Sequence, residues 1–99
     1  MEYGPPHNER RRNQDDALVM RASEDSTAFL LLYDIYYEKI LRYILVRIRF
    51  KSISLDTANL VFIRASAGIR RFKGTTRRQF VQWLTEIADV HIQNYFKIN

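Results

Sequence analysis

Apolar residues recur at helical spacing through most of this chain. Between Ser26 and Arg49, the positions Phe29, Leu32, Tyr33, Tyr36, Ile40, Tyr43, Ile44 and Ile48 follow the i, i+3, i+4, i+7 rule, while Asp34, Glu38 and Arg42 mark the opposite, wet face. Leu30, Leu31, Ile35, Tyr37, Leu41 and Leu45 widen the apolar surface beyond one stripe, which predicts a central helix with neighbours on several sides. Phe50-Lys51-Ser52 reads as a short connection, with Ser52 or Ser54 able to cap a third helix over 54–71. Its inward stripe is Ala58, Val61, Phe62, Ala65 and Ile69. A fourth helix is predicted over 77–96, with Phe80, Leu84, Ile87, Ala88, His91 and Tyr95 inward and Gln82, Glu86, Asp89 and Lys97 in water. Ahead of these, a short helix is expected over 15–22, with Asp15 and Asp16 at its positive end, and Ser23-Glu24-Asp25-Ser26 supplies a break and a new N-cap. Gly4-Pro5-Pro6 opens a stretch without an apolar period, so residues 1–14 are expected to form a flexible arm. No strand alternation and no internal repeat is visible. The pattern predicts an all-α domain over 15–99, a compact bundle of three long helices plus a short N-terminal one.

The outward face of the third helix departs from a solvated pattern. Asp56, Asn59, Leu60, Ile63 and Ala67 place two large apolar side chains beside a carboxylate and an amide, where charge would be usual. Two readings follow: a docking surface, or a patch on which the N-terminal helix packs.

Composition sharpens this only in part. The chain of 99 residues is 46% hydrophobic and 27% charged, with three glycines and two prolines, which suits one folded domain with a single core. Without cysteine it has no disulfide framework, thiolate metal site or thiol redox chemistry. Apolar runs such as Ala28 to Tyr33 fall far short of the roughly 20 residues of a membrane span. Met1 to Gln14 is polar, unlike a signal peptide. The net charge is +5, and residues 64–99 alone carry seven cations against two anions. A basic region of this kind is the electrostatic footprint of a polyanion partner, although a solvated arginine-rich surface gives the same count.

That charge surrounds the most informative segment, Phe72-Lys73-Gly74-Thr75-Thr76-Arg77-Arg78-Gln79-Phe80-Val81-Gln82-Trp83. Thr76 and Gln79 have the spacing of a capping box, in which each side chain satisfies a free N–H at a helix start. Cations (Lys73, Arg77, Arg78) beside stackable rings (Phe72, Phe80, Trp83) suit a nucleic-acid strand with its bases out of the stack.

Catalytic chemistry is hard to assemble. His7 falls in the expected arm and His91 on an inward stripe. Asp15-Asp16 and Glu24-Asp25 read as helix-start acids, no His/Asp/Glu set has metal-ligand spacing, and Gly74 alone makes no phosphate loop. The expectation is a binding module with no enzyme activity, no metal and no cofactor.

Four motifs in order then resemble region 2 of bacterial RNA polymerase sigma factors of the extracytoplasmic-function (ECF) group, within the sigma-70 family. They are Ala28-Phe29 with Leu32-Tyr33, Tyr36-Tyr37 and Leu41-Arg42-Tyr43; the helix Asp56 to Ala65; Arg71-Phe72-Lys73-Gly74; and Phe80-Val81-Gln82-Trp83-Leu84-Thr85-Glu86-Ile87-Ala88. The resemblance runs from about Asp16 to Lys97. It implies a transcription initiation factor module that binds the beta-prime clamp helices of core RNA polymerase and recognises and melts the promoter −10 element on its non-template strand. By the resemblance, Asp56, Asn59, Leu60 and Ile63 would bind core polymerase. Phe72, Lys73, Thr75, Thr76, Arg77, Arg78, Gln79, Gln82, Trp83, Glu86, Asn94 and Lys97 would bind DNA. It further implies a bacterial cytoplasmic location, no membrane partner, a monomer when free, and an anti-sigma factor as a further partner. It also leads one to expect a region 4 helix-turn-helix beyond Asn99, in a longer protein.

The sequence departs from the family where recognition is concentrated. Asn59 and Leu60 replace the usual glutamine and glutamate, Val90 replaces an asparagine, and Asn94 an acid. Two other functions therefore stay open: a degenerate sigma-like protein-interaction domain that binds polymerase or an anti-sigma factor without reading DNA, and a helical RNA- or DNA-binding domain unconnected to polymerase.

Overall fold

The computed structural model describes residues 7–98. They form four helices: α1 (His7–Arg21), α2 (Ser26–Ile48), α3 (Lys51–Gly68) and α4 (Arg77–Ile98), with a 3₁₀ turn at Ile69–Arg71 extending α3. No strand occurs among the described residues, so the architecture is all-α. None of the four helices is long and apolar enough to cross a membrane.

α2 is central because its apolar surface is broad. It touches all three other helices, α3 and α4 pack on each other, and α1 lies on α2 and α4 without reaching α3. The core is the set of stripes read from the spacing: Phe29, Leu32, Tyr36, Ile40, Ile44 and Ile48 of α2, Ala58, Val61, Phe62 and Ala65 of α3, and Phe80, Leu84 and Ala88 of α4. Each fully buried Leu, Ile or Phe contributes about 1.5–3 kcal/mol through removal from water. Asp25 caps α2, its carboxylate accepting from the Thr27 and Ala28 N–H groups at 3.0 and 3.4 Å. Arg49 ends that helix in the left-handed region at φ 71°, with its N–H donating to the Leu45 carbonyl.

Several expectations are corrected. α1 begins at His7 rather than Asp15, so residues 7–14 of the expected arm are helical, while residues 1–6 lie outside the described residues. That stretch holds three arginines with Glu9 and Gln14, good helix formers that carry no apolar period to reveal them. α1 is therefore not short, and Asp15 and Asp16 fall in its third turn instead of at its positive end. α3 starts at Lys51, with Phe50 at the N-cap position and no side-chain cap. Both proposed serines thus lie inside the helix, and Ser54 is buried with no partner for its hydroxyl among the described residues. On α4 the buried ridge is Phe80, Leu84, Ala88 and Ile92, an i, i+4 row; Ile87, His91 and Tyr95 sit half-exposed at its margin.

Candidate nucleic-acid interface and docking face

The start of α4 is held from two directions. The capping box forms as its spacing requires: the Gln79 N–H donates to Thr76 Oγ1 at 3.2 Å. Gln79 Oε1 in turn accepts from the Thr75 and Thr76 N–H groups at 2.8 and 3.3 Å. The Arg77 N–H donates to Asp16 Oδ1 at 2.6 Å, across a separation of 61 residues. The positive end of the α4 dipole thus already holds a carboxylate. Any phosphate arriving here must be met mainly by side chains.

Beside Asp16, the Tyr36 hydroxyl donates to Asp15 Oδ2 at 2.6 Å in a buried pair. Burial and the Asp15 carboxylate push the Tyr36 phenol well above its ordinary range, with Arg77 opposing them. Arg77, expected to contact DNA, is accordingly half-buried and drawn toward this junction of α1, α2 and α4. Lys73 and Arg78 remain exposed.

The rings at this end form one cluster. Phe72 stacks on Trp83 with centroids 4.7 Å apart and meets Phe80 edge-on at 5.9 Å. Phe80 is fully buried and also meets Phe29 edge-on, so it is a core residue and cannot offer a free face. Phe72 and Trp83 are half-exposed. Phe72, Lys73, Gly74, Gln79, Gln82, Trp83 and Glu86 line an open groove of about 360 Å³. Gly74 is required there, because a Cβ would collide with the Phe72 ring. The Gln82 amide lies 3.5 Å from Glu86 Oε2 in the same groove.

The remaining expected DNA residues divide. Thr75 and Thr76 serve the cap, and Lys97 lies in the last turn of α4 and lines neither groove described here. Asn94 belongs to a second groove of about 340 Å³ between α3 and α4, with Arg64, Gly68, Trp83, Ile87, Val90 and His91. Burial and the neighbouring Arg64 hold the His91 imidazole below its usual pKa. Neither Arg64 nor His91 was expected at a site. The available signals were the arginine count of residues 64–99 and the small residue Gly68, which leaves room beside the indole.

On the other side of α3 the outward residues are exposed as their spacing required: Asp56, Asn59, Leu60 at 45% and Ile63 at 63%. The alternative in which the N-terminal helix covers them is excluded, since α1 packs elsewhere. Asn59 Oδ1 accepts from the Tyr37 hydroxyl at 3.1 Å. Leu30, Leu31 and Ile35 of α2 are also exposed. A groove of about 660 Å³ runs between α2 and α3, lined by Leu30, Tyr33, Asn59, Phe62 and Ile63 among others. Among the described residues no group of His, Asp and Glu gathers as a metal site. Comparison with known protein families, with curated proteins and with solved structures finds no match for this chain.

Proposed function

We propose that this domain is a transcription-initiation module of the sigma region 2 kind. In this reading the outer face of α3 docks on the beta-prime clamp helices of core RNA polymerase, and the start of α4 takes a base from the separated non-template strand of the −10 element. It is a binding module of the bacterial cytoplasm rather than an enzyme. The observation that carries the reading is the groove at Phe72, Gly74 and Trp83: an aromatic wall, a glycine that lets the Phe72 ring close in, and the Lys73 cation, beside a doubly capped helix start on which Arg78 is exposed. Rings next to cations on a rigid element suit an unstacked base better than a duplex backbone.

The test is fluorescence anisotropy with single-stranded and duplex −10 oligonucleotides across a salt series, paired with co-purification on core polymerase. Preference for the single strand together with polymerase retention supports the reading. Equal affinity for both DNA forms, with a response to charge alone, would sink the DNA half.

A second reading is favoured by the α2–α3 groove, which is larger than either groove beside α4 and more apolar than the one at the loop. It is a sigma-like interaction domain that binds polymerase or an anti-sigma factor and does not read DNA. Polymerase retention without single-strand preference selects it.

A further inference from the structure

The groove between α3 and α4 brings together polar groups with no partner among the described residues. Arg64 enters from α3, His91 and Asn94 from α4, and the Trp83 indole forms part of the wall. None of these side chains makes a hydrogen bond or ion pair among the described residues. Among the described residues no carboxylate lines this groove, whereas Glu86 and Lys73 both line the loop groove. Arg64 and His91 are placed so that a proton on the imidazole would be repelled by the guanidinium. An anion between them would satisfy both.

We infer that this groove is a nucleotide site, in which Arg64 and His91 hold a phosphate and Asn94 and Trp83 face the attached base or sugar. A cation and an imidazole suit a phosphate oxygen, and a carboxamide can both donate to and accept from a base edge. At about 340 Å³ the groove lies at the small end of ligand clefts, roughly 300–1,000 Å³, with room for one nucleotide and not for a helix. Trp83 lines this groove and the loop groove alike, so the two meet at the indole. A strand held at the loop can therefore place a neighbouring nucleotide beside Arg64. The strand as source rests on the single-strand reading above; a free nucleotide would satisfy the same groups.

The experiment follows the ring resonances of His91 by NMR while thymidine monophosphate, a five-nucleotide single strand or inorganic phosphate is added. The backbone amides of Gly74 and Gln79 report the loop in the same spectra. The expected result is saturable movement of the His91 ring, an upward shift of its titration midpoint, and at least about fivefold weaker binding in Arg64→Ala, an exposed position whose loss leaves the core intact. Response to the strand but not the monophosphate assigns the strand as source, and equal response assigns a free nucleotide. His91→Gln keeps a hydrogen-bonding group without the titration, so it should retain part of the affinity and lose its pH dependence. A His91 ring that ignores every probe while the loop amides answer the strand overturns this inference and leaves the single-strand reading standing. Movement at His91 without the loop does the reverse, and silence at both positions overturns the two together.

Discussion

The outer face of α3 and the start of α4 both leave apolar groups in reach of water, but they do so in different physical states. On α3, Leu60 and Ile63 stand free beside Asp56, and the neighbouring α2 adds Leu30, Leu31 and Ile35. Nothing in the described residues covers them, so a partner that did would gain about 1.5–3 kcal/mol for each side chain fully buried. On α4 the rings already pack on one another, the backbone is capped by Thr76, Gln79 and Asp16, and what remains unpaired is charge. The first surface is an unfinished core. The second is pre-organised, and binding there costs little ordering. Association at the α3 face should therefore depend on area and shape, and association at α4 on ionic strength and one ring.

The largest expected effect separates core from surface within the α4 cluster. Phe80→Ala removes a fully buried ring that touches Phe29, Tyr36, Phe72 and Trp83, and should cost about 3–5 kcal/mol in urea unfolding. Phe72→Ala acts on a half-exposed ring. It should cost about 1–3 kcal/mol of single-strand affinity with the salt slope nearly unchanged. If Phe72→Ala destabilises the fold as much as Phe80→Ala does, the ring belongs to the core and the contrast collapses.

Next is the link from α1. Asp16→Ala leaves the Arg77 N–H without its carboxylate and should cost about 1.5–3 kcal/mol, the range for hydrogen bonds to charged groups. Asp16→Asn keeps an acceptor and should recover part of that loss. Hydrogen exchange at Gln79 and Phe80 should rise in Asp16→Ala, while the proposed binding of isolated clamp helices to the α3 face should be unchanged. Unchanged exchange at the start of α4 would mean that the capping box alone holds it.

Local features were legible in the sequence where one segment contains both halves of the interaction. The Thr76–Gln79 box, a cap within Ser23–Ser26, the α3 stripe with its exposed reverse, and most core positions follow from the local sequence; that Asp25 is the capping residue is shown by the structure. What was hidden depends on partners far apart in the chain. Asp16 has nothing near it in sequence to reveal that it caps α4, and Asp15 reads as a helix-start acid until Tyr36 is folded against it. The polar first half of α1 carries no period, so its helix could not be seen. On α4, periodicity admits several neighbouring stripes, and packing on α2 and α3 chose Ile92 over Ile87 and left His91 at a groove edge. Arg77 looked equivalent to Arg78, yet only the tertiary junction with Tyr36 distinguishes them.

The two surfaces also differ in how they should answer charge. Asp56→Arg on the proposed polymerase face should weaken binding to the clamp helices by about 1–3 kcal/mol, by losing a charged contact at the interface. Leu60→Glu, at an exposed position, should leave the unfolding midpoint nearly unchanged. On the proposed DNA face, Arg78→Gln should lower affinity for every strand alike and reduce the salt slope by roughly 0.7. A salt slope that falls with Asp56→Arg, or stays fixed with Arg78→Gln, would reverse the assignment of the two faces.

The smallest effect tests whether the surfaces are coupled through the bundle. Tyr43 of α2 donates its hydroxyl to Asp89 Oδ1 of α4 at 2.7 Å, and the Arg47 guanidinium lies 3.5 Å from its ring centroid. The Asp89 hydrogen bond, with some burial, raises the Tyr43 phenol above its usual value, against the pull of Arg47. A phenol whose folded pKa is raised contributes stability that is present below the unfolded value, about 10, and is lost as pH climbs through the folded one. Tyr43→Phe should therefore cost about 0.5–1.5 kcal/mol near neutral pH and make stability less steep above about pH 10, with the share due to Tyr36 remaining. Neither Tyr43 nor Asp89 lines a groove described above, so affinity for clamp helices and for single strands should stay at the wild-type value. If either affinity follows the loss of stability, α2 and α4 move as one lever, and the contrast between an unfinished face and a pre-organised one is not local to those faces.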